Sequence, residues 1–212
     1  MSEATSRKGH RWFAAIYDLT AKTDEKKLRP LRELAAGGAT GRVIEVGCGT
    51  GLNLGHYDWQ AVEALEATEP DPFMLRRAEA KAATLADAVR ARLRFHAAPA
   101  EALPFPDASF DSAVATLVLC SVRDPVLALA ELRRVLRPSG RLILVEHVRA
   151  PGLAGRVQRA VQPAYGWLAA GCQLGRDTEA SVRAAGFDLE VSERTSLGPL
   201  WPAFAGVATK AA

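Results

Sequence analysis

Alternating glycines and two glutamates make up the part of this sequence that is best suited to chemistry. Three glycines follow a predicted buried strand over 42–46, which is apolar and partly β-branched: Gly47, Gly49 and Gly51. Glycines allow a tight turn and leave no Cβ above the strand end, so a ligand can lie against the backbone N–H groups of a following helix. Glu45 lies in this strand and Glu69 follows the next strand, over 62–68, where a carboxylate can accept from both hydroxyls of a ribose. The pattern favours a ribose-containing ligand, with a solvated loop charge as the alternative for Glu69.

The spacing of the glycines excludes two common nucleotide-binding loops. The spacing is G-x-G-x-G, whereas dinucleotide-binding folds use G-x-G-x-x-G, and no Gly-Lys-Ser/Thr follows as in a phosphate-binding P-loop. We expect a short helix over 52–57 directly after the loop.

His147 is the candidate general base, if the reaction needs one. It follows an apolar segment that predicts a strand over 141–148, and the alternative is a hydrogen-bonded structural histidine. The three cysteines are far apart and form no C-x-x-C pair: Cys48, Cys120 and Cys172. We expect each of them to be a small buried side chain, and we expect no metal site and no disulfide.

Strands and helices alternate along the chain, which predicts an α/β sheet. Thr116 and Leu117 fall at the C-terminal end of a strand over 110–117 that runs on to 122, and ligands bind at such ends of open α/β sheets. The remaining predicted strands are 92–97, 187–194 and 204–210, and the predicted helices are 10–22, 24–36, 72–86, 178–185 and one from Pro125 to Pro138-Ser139-Gly140. A partly helical insertion over 151–176 is expected to shape a substrate pocket.

Composition and charge are those of an ordinary globular protein. The chain has 212 residues, of which 49% are hydrophobic and 24% charged, and these values predict one domain, 1–212. A net charge of +3 gives no support for nucleic-acid binding. We find no signal peptide, and the longest apolar run, 113–122, is too short to span a bilayer. We therefore expect a cytoplasmic protein without a transmembrane segment, for which peripheral membrane contact stays open.

Three sequence blocks together resemble the class I S-adenosylmethionine (SAM) methyltransferases. They are Glu45-x-Gly47-x-Gly49-x-Gly51, Glu69-Pro70-Asp71-Pro72-Phe73-Met74-Leu75 and Leu103-Pro104-Phe105-Pro106-Asp107-x-Ser109-Phe110-Asp111. The resemblance implies a doubly wound, Rossmann-like sheet of seven strands with an antiparallel last strand, SAM as cofactor and S-adenosylhomocysteine as product. It divides the chain into N-terminal helices that form a lid (1–36), a SAM-binding core (42–150), the pocket insertion (151–176) and a C-terminal helix with antiparallel strands (177–212).

The same resemblance implies which residues contact the cofactor. These are Tyr17 in the lid, Glu45, Gly47, Cys48, Gly49, Gly51, Glu69, Pro70, Met74, Ala100, Glu101, Thr116 and Leu117. Relatives usually carry an Asp for the adenine amino group where this sequence has Pro99. Adenine is therefore expected to lie against the backbone near Ala100, Glu101 and the side chain of Met74.

Three further segments resemble the alkyl-thiol S-methyltransferases of the microsomal type. They are Thr116-Leu117-Val118-Leu119-Cys120-Ser121-Val122, Glu146-His147-Val148 and Gly171-Cys172-Gln173-Leu174. The implied reaction converts SAM and a small thiol into a methyl thioether and S-adenosylhomocysteine. The animal members carry an N-terminal membrane anchor, which we do not expect here. The alternatives are a phosphatidylethanolamine N-methyltransferase, which shares Gly51-Leu52-x-Leu54, a quinone-precursor C-methyltransferase, and a SAM-binding partner protein without catalysis.

Overall fold

A mixed β-sheet flanked by helices makes up this computed structural model, which describes residues 11–169, 171–198 and 201–211. The strands are β1 (Gly41–Val46), β2 (Val62–Thr68), β3 (Leu93–His96), β4 (Phe110–Thr116), β5 (Leu136–His147), β6 (Phe187–Gly198) and β7 (Trp201–Lys210). The helices are α1 (Arg11–Gly37), α2 (Pro72–Ala82), α3 (Asp87–Arg90), α4 (Pro125–Val135), α5 (Gly152–Leu168) and α6 (Thr178–Ala184).

The strand order places a ligand crevice at the middle of the sheet. The order is β3-β2-β1-β4-β5-β7-β6, with parallel pairing from β3 to β5 and antiparallel pairing of β7 with both of its neighbours. This confirms the predicted doubly wound, seven-stranded sheet. The chain leaves β1 towards β2 on one side, while β4 lies on the other side, so the carboxyl ends of β1 and β4 form the switch point at which such sheets bind ligands.

The two faces of the sheet carry separate apolar layers, which keep the central strands rigid. On one face, side chains of α4 and α6 pack on the sheet with two buried phenylalanines: Leu129, Leu132, Val182, Phe110 and Phe204. On the other face, α1 and α2 supply small and branched side chains: Leu31, Ala35, Leu75 and Ala78. Because both faces are covered, β1 and β4 are almost wholly buried, which explains their continuous apolar sequences.

Aspartate caps fix the starts of three helices: Asp71, Asp124 and Asp177. The Asp71 carboxylate accepts from the N–H groups of Phe73 and Met74 at 2.8 and 3.3 Å, and Pro72 occupies the first helical position. A cap of this kind stabilises a helix by about 1 kcal/mol. The start of α2, directly after Glu69, is thereby well defined.

The N-terminal region forms one helix, and the prediction of two helices is wrong. Asp24, the first residue of the second predicted helix, lies inside α1. An interior aspartate costs less than about 0.7 kcal/mol relative to alanine, and no glycine or proline separates the two predicted helices. Burial of Leu28, Leu31 and Ala35 on the sheet outweighs that cost. Residue 10, the predicted start, lies outside the described residues.

The segment after the glycine loop forms turns, and the prediction of a helix over 52–57 is wrong. Its backbone bonds reach back three residues, as from the Leu54 N–H to the Gly51 carbonyl. A helix this short is marginal by itself, and Gly55 would weaken it by about a further 1 kcal/mol. The N–H groups near the loop are therefore positioned by turns.

β4 ends at Thr116, so the predicted continuation of the strand to residue 122 is wrong. Leu117 has a φ of 56°, outside the β region, and redirects the chain into a turn. A non-glycine residue in this conformation is strained, and such residues concentrate at functional sites.

Two predicted helix ends lie too far along the chain. α4 ends at Val135 rather than at Pro138, because the residue before a proline disfavours helical geometry and Leu136 already pairs with Phe110 in the sheet. α2 ends at Ala82 rather than at 86, where turns follow.

Close packing of β7 against β6 predicts a measurable effect of one added methyl group. A Cβ on Gly206 would lie 2.5 Å from the Glu190 carbonyl oxygen and 3.3 Å from the Cα of Val191. Gly206→Ala should therefore lower the free energy of unfolding by about 1–3 kcal/mol, measured by urea denaturation. Gly55→Ala is the control, because a Cβ there would meet nothing within 4 Å. Equal effects of the two substitutions would contradict this packing.

Candidate functional site

The glycine loop turns sharply at the end of β1. Gly47, Gly49 and Gly51 have φ values of 60°, 58° and 76°, which residues with a side chain rarely adopt. A Cβ on Gly47 would lie 2.7 Å from Val118, whereas a Cβ on Gly49 would meet only Met74, at 3.6 Å. The loop packs tightly at its first glycine and leaves open space at its centre, as a ligand lying on the backbone requires.

Glu69 faces this open centre from the end of β2. Its Oε2 accepts from the Gly49 N–H and its Oε1 from the Asp71 N–H, both at 2.9 Å. The side chain is only 8% exposed. These bonds hold the carboxylate beside the loop, at the place where the sequence pattern expects a ribose acceptor.

A buried polar network lies beneath the loop, with Glu45 at its centre. The Glu45 carboxylate accepts from Asn53 Nδ2 and from the Tyr57 hydroxyl, both at 2.9 Å. Asn53 also donates to Thr116 Oγ1 at 3.1 Å and accepts from Arg32 Nη1 at 2.8 Å. Glu45 and Thr116, both predicted to contact a cofactor, thus fix the turns that follow the glycine loop.

Burial dominates the electrostatics of this network. It raises the pKa of Glu45 to about 7, against the hydrogen bonds from Tyr57 and Asn53 and the charge of Arg32, which lower it. Burial and the nearby Glu45 also raise the pKa of Tyr57 well above its usual value. The network therefore holds a carboxyl group that changes charge near neutral pH.

The residues around the loop centre fit an adenosyl group. Met74 is buried and borders the space above Gly49, where it offers an apolar wall to a base. Thr50, within the loop, has a buried hydroxyl oxygen without a hydrogen-bond partner among the described atoms. Together with Glu69, these groups offer apolar contact, a hydroxyl and a carboxylate to one ligand.

The other predicted cofactor residues differ in their surroundings. Ala100 is buried, whereas Pro70 is exposed. The Oε1 of Glu101 accepts from two backbone N–H groups just before α4, at 2.8 and 3.3 Å, so this side chain anchors that segment. Burial raises the pKa of the Cys48 thiol well above its usual value, which keeps it protonated.

Tyr17 of α1 lies between the cofactor loop and the region beyond β4. Its hydroxyl interacts with Arg32 and is within electrostatic reach of both Cys120 and Glu69. Burial raises the pKa of Tyr17, and Arg32 opposes this shift. An ion pair between Asp18 and Arg77 also joins α1 to α2.

Glu146, near the end of β5, fixes the turn after β4. Its Oε1 accepts from the N–H groups of Val118 and Leu119, both at 2.7 Å, and its Oε2 from that of Cys120 at 3.3 Å. Burial raises the pKa of Glu146 to about 7, against the neighbouring imidazole and these backbone donors. The carboxylate determines how the backbone continues beyond Leu117.

A histidine and two cysteines meet at this turn. His147 Nε2 lies 2.9 Å from Cys172 Sγ, and one ligand atom from each of Cys120, His147 and Cys172 lies within 4.8 Å of the other two. All three side chains are buried. His147 Nδ1 has no hydrogen-bond partner among the described atoms. The predicted base therefore has one ring nitrogen engaged by a cysteine that is distant in sequence.

The members of this Cys120–His147–Cys172 cluster shift one another's pKa. The hydrogen bond from Cys120 lowers the pKa of Cys172, as does His147, while burial opposes them. The same bond and burial raise the pKa of Cys120 well above its usual value. Burial lowers the pKa of His147, but the hydrogen bond to Cys172 and nearby negative charge outweigh it, and the net shift is upward.

Comparison with known proteins decides the family. A methyltransferase domain family matches residues 44–144. Human thiol S-methyltransferase TMT1B is 36% identical over 189 residues, which cover 83% of this chain and 75% of the relative. This chain belongs to the class I SAM-dependent methyltransferases. The predicted enzyme class is confirmed, and SAM is the cofactor of this methyltransferase.

A second relative has a different acceptor in its name. The phosphatidylethanolamine N-methyltransferase of Cereibacter sphaeroides is 33% identical over 204 residues, which cover 93% of both chains. Among solved structures, the complex between the Haloferax volcanii Trm112 methyltransferase activator and a methyltransferase contains a similar fold. The TM-score is 0.70 at 18% identity, and the match covers 97% of this chain and 99% of the other.

No helix among the described residues of this methyltransferase has the length and apolar character needed to cross a membrane.

The sequence did not reveal several side chains that support the glycine loop and the turn after β4. Tyr57 donates to Glu45, and Arg32 donates to Asn53, which in turn donates to Glu45; both Tyr57 and Arg32 lie outside the three family blocks. One feature of the sequence could have indicated Glu146, because it is an acidic residue directly after the apolar run 142–145. The pairing of His147 with Cys172 carried no local signal, because 25 residues separate them.

The position of Glu69 predicts a defined loss of cofactor affinity. Glu69→Gln should weaken SAM binding by about 1–3 kcal/mol, because a charged acceptor beside Gly49 is lost, and isothermal titration calorimetry measures this change. Glu63→Gln is the matched control, since Glu63 is exposed on the same strand. Unchanged SAM affinity in Glu69→Gln would rule out its role at the ribose.

The raised pKa of Glu45 predicts a decline of stability towards neutral pH. The group titrates near 4.5 in the unfolded chain and at about 7 when folded, so the folded state binds the proton more tightly. Glu45 therefore contributes fully to the free energy of unfolding below pH 4.5, which is its pKa in the unfolded chain. This contribution is lost as the pH rises to about 7. The loss is about 3–3.5 kcal/mol, because the shift from 4.5 to about 7 is multiplied by about 1.4 kcal/mol per pKa unit.

Urea denaturation of the ligand-free enzyme between these pH values tests this expectation. Glu45→Gln should remove about half of the decline, because the buried Glu146 titrates over the same range, and Glu63→Gln should leave it as in the unaltered enzyme. If Glu45→Gln leaves the dependence of the free energy of unfolding on pH unchanged, the raised pKa of Glu45 is contradicted.

Proposed function

We propose that this methyltransferase acts on a small thiol and converts it, with SAM, into a methyl thioether and S-adenosylhomocysteine. The observation that carries the proposal is the Cys120–His147–Cys172 cluster at the carboxyl ends of β4 and β5, beside the switch point of the sheet. The identity of 36% to human TMT1B, a thiol S-methyltransferase, supports it.

Methyl transfer from a sulfonium is an in-line displacement that depends on placement. The leaving sulfur is already cationic, so the protein must align the acceptor with the methyl group and exclude water. A thiol reacts as its thiolate. The acceptor site must therefore be dry, close to the methyl group and favourable to negative charge on sulfur.

One fixed charge near the cluster, that of Arg176, favours an anionic acceptor over a cationic one. The Glu146 carboxylate already accepts hydrogen bonds from three backbone N–H groups of the turn after β4. Its oxygens are therefore engaged by the turn and do not face the acceptor as a free negative charge. Arg176 donates to the carbonyls of Leu119 and Val122 and lies within electrostatic reach of His147. A nearby fixed positive charge stabilises a thiolate and disfavours an ammonium group.

The cofactor would lie between the glycine loop and Tyr17. Glu69 would bind the ribose, Met74 would contact adenine, and Tyr17, within reach of both Glu69 and Cys120, would meet the methionine end. The remaining contacts in this proposal come from the loop and its neighbours: Gly47, Cys48, Gly49, Gly51, Pro70, Ala100 and Leu117. His147 would lie on the acceptor side of the methyl group.

A specific surface feature favours phosphatidylethanolamine N-methylation as the second candidate. Leu153, Val157 and Val161 of α5 are 73%, 38% and 39% exposed and recur every four residues, so they share one helix face. Arg156 and Arg159 are exposed on the same helix. An apolar helix face with neighbouring basic side chains is typical of peripheral contact with a lipid surface. The relative in Cereibacter sphaeroides fits this alternative.

Release of S-adenosylhomocysteine with three acceptors in parallel tests the proposal. The acceptors are a small alkyl thiol, phosphatidylethanolamine vesicles and a quinone precursor. We expect turnover with the thiol and at least ten times less with the other two, because a thiolate matches the charge of the site. Turnover confined to the vesicles would replace the proposal with phospholipid methylation.

A variant of the exposed face of α5 further separates thiol methylation from phosphatidylethanolamine methylation. The double substitution Leu153→Gln and Val161→Gln should leave thiol turnover unchanged, because both side chains point to solvent. A loss of thiol turnover in this variant, with SAM affinity intact, would contradict a site confined to the protein interior.

A further inference from the structure

Three side chains with metal-ligating atoms come together from distant parts of the chain. Cys120 follows β4, His147 ends β5 and Cys172 follows α5, and one ligand atom of each lies within 4.8 Å of the others. The expectation that the chain lacks a metal site rested on the absence of C-x-x-C, a pattern that detects only ligands close in sequence.

The donor set is characteristic of one metal. Two thiolates and an imidazole suit zinc, whereas magnesium and calcium prefer oxygen ligands. Three protein ligands leave the fourth tetrahedral position open, which is the arrangement of catalytic rather than structural zinc sites.

The backbone around the three ligands is held by hydrogen bonds, as a preorganised site requires. Glu146 fixes the N–H of Cys120, and the carbonyl of Cys120 accepts from the Gln173 N–H at 2.8 Å. Gln162 of α5 donates to the carbonyl of Cys172 at 2.9 Å. The turns that carry the two cysteines are thus bonded to each other and to α5, so their separation is fixed by the fold.

We propose that Cys120, His147 and Cys172 bind a zinc ion whose fourth coordination position receives the sulfur of the acceptor. The second half of this statement rests on the proposed thiol methylation, whereas the metal site itself does not.

Coordination would supply the thiolate that methyl transfer needs. A thiol that binds zinc loses its proton, here to solvent, and its sulfur keeps an electron pair for attack. That pair forms the new S–CH3 bond while the bond from the methyl group to the SAM sulfur breaks. The bonding pair of the broken bond returns to the SAM sulfur, which becomes neutral S-adenosylhomocysteine. In this account, His147 is a metal ligand rather than a general base.

Metal analysis of the purified full chain tests the site directly. After reduction, addition of zinc and gel filtration, we expect about one zinc per chain. Cys120→Ser, His147→Ala and Cys172→Ser should each weaken zinc binding at least tenfold in competition with a chromophoric chelator. Cys48→Ala is the matched control and should keep the metal, because this buried thiol lies in the glycine loop.

Cobalt substitution gives a second readout that does not depend on how well a variant folds. The unaltered chain loaded with Co²⁺ should show thiolate-to-cobalt charge-transfer absorption, and an added alkyl thiol should change the visible bands by entering the fourth position. Absence of zinc from the reduced, zinc-treated chain would overturn the proposal. Cobalt spectra without a thiolate band would overturn it too.

Activity distinguishes the failure of this inference from the failure of the proposed function. Thiol methylation at full rate by chelator-treated, zinc-free enzyme would overturn coordination of the acceptor by the metal and leave thiol methylation in place. One bound zinc together with turnover on phosphatidylethanolamine alone would keep the site and overturn its role with a thiol acceptor.

Discussion

Two buried carboxylates, Glu45 in β1 and Glu146 in β5, constrain the loops on which the rest of the site depends. A buried carboxylate is costly unless hydrogen-bond donors surround it, and here the donors come from the loops themselves. Glu45 binds side chains of the turns after β1, and Glu146 binds the backbone of the turn after β4. Because β4 lies between β1 and β5 in the sheet, the two loops are fixed against the same rigid centre.

This arrangement separates two tasks along one edge of the sheet. The side of β1 and β2 offers open backbone at Gly49, a carboxylate at Glu69 and an apolar wall at Met74. The side of β4 and β5 offers two thiols, an imidazole and, close by, a guanidinium. Tyr17 of α1 is within electrostatic reach of both sides.

Local chemistry made much of the fold predictable. The predicted strands over 42–46 and 62–68 match β1 and β2 almost to the residue, and the predicted starts of α2 and α4 at Pro72 and Pro125 are those of the structure. The prediction of a helix after the glycine loop is wrong because side chains there serve a tertiary network rather than a helical face. The continuous α1 was missed because burial on the sheet outweighs the weak helix propensity of Asp24.

The candidate site was only partly visible in the sequence for the same reason. Glu69 and the glycines could be recognised because strand, loop and carboxylate are close along the chain. The contact between His147 and Cys172 depends on where α5 returns to the sheet, which no local pattern encodes. Glu45 was recognisable as part of a motif, but its role beneath the loop depends on Asn53 and Tyr57.

We propose that the acceptor site lies at the Cys120–His147–Cys172 cluster, opposite the methyl donor. A crystal structure of the enzyme with S-adenosylhomocysteine, with data collected at the zinc absorption edge, tests it most directly. The account predicts that the homocysteine sulfur points towards the cluster and that an anomalous zinc peak lies among the three side chains. A cofactor sulfur that faces away from the cluster, with no metal between the cysteines, would contradict it.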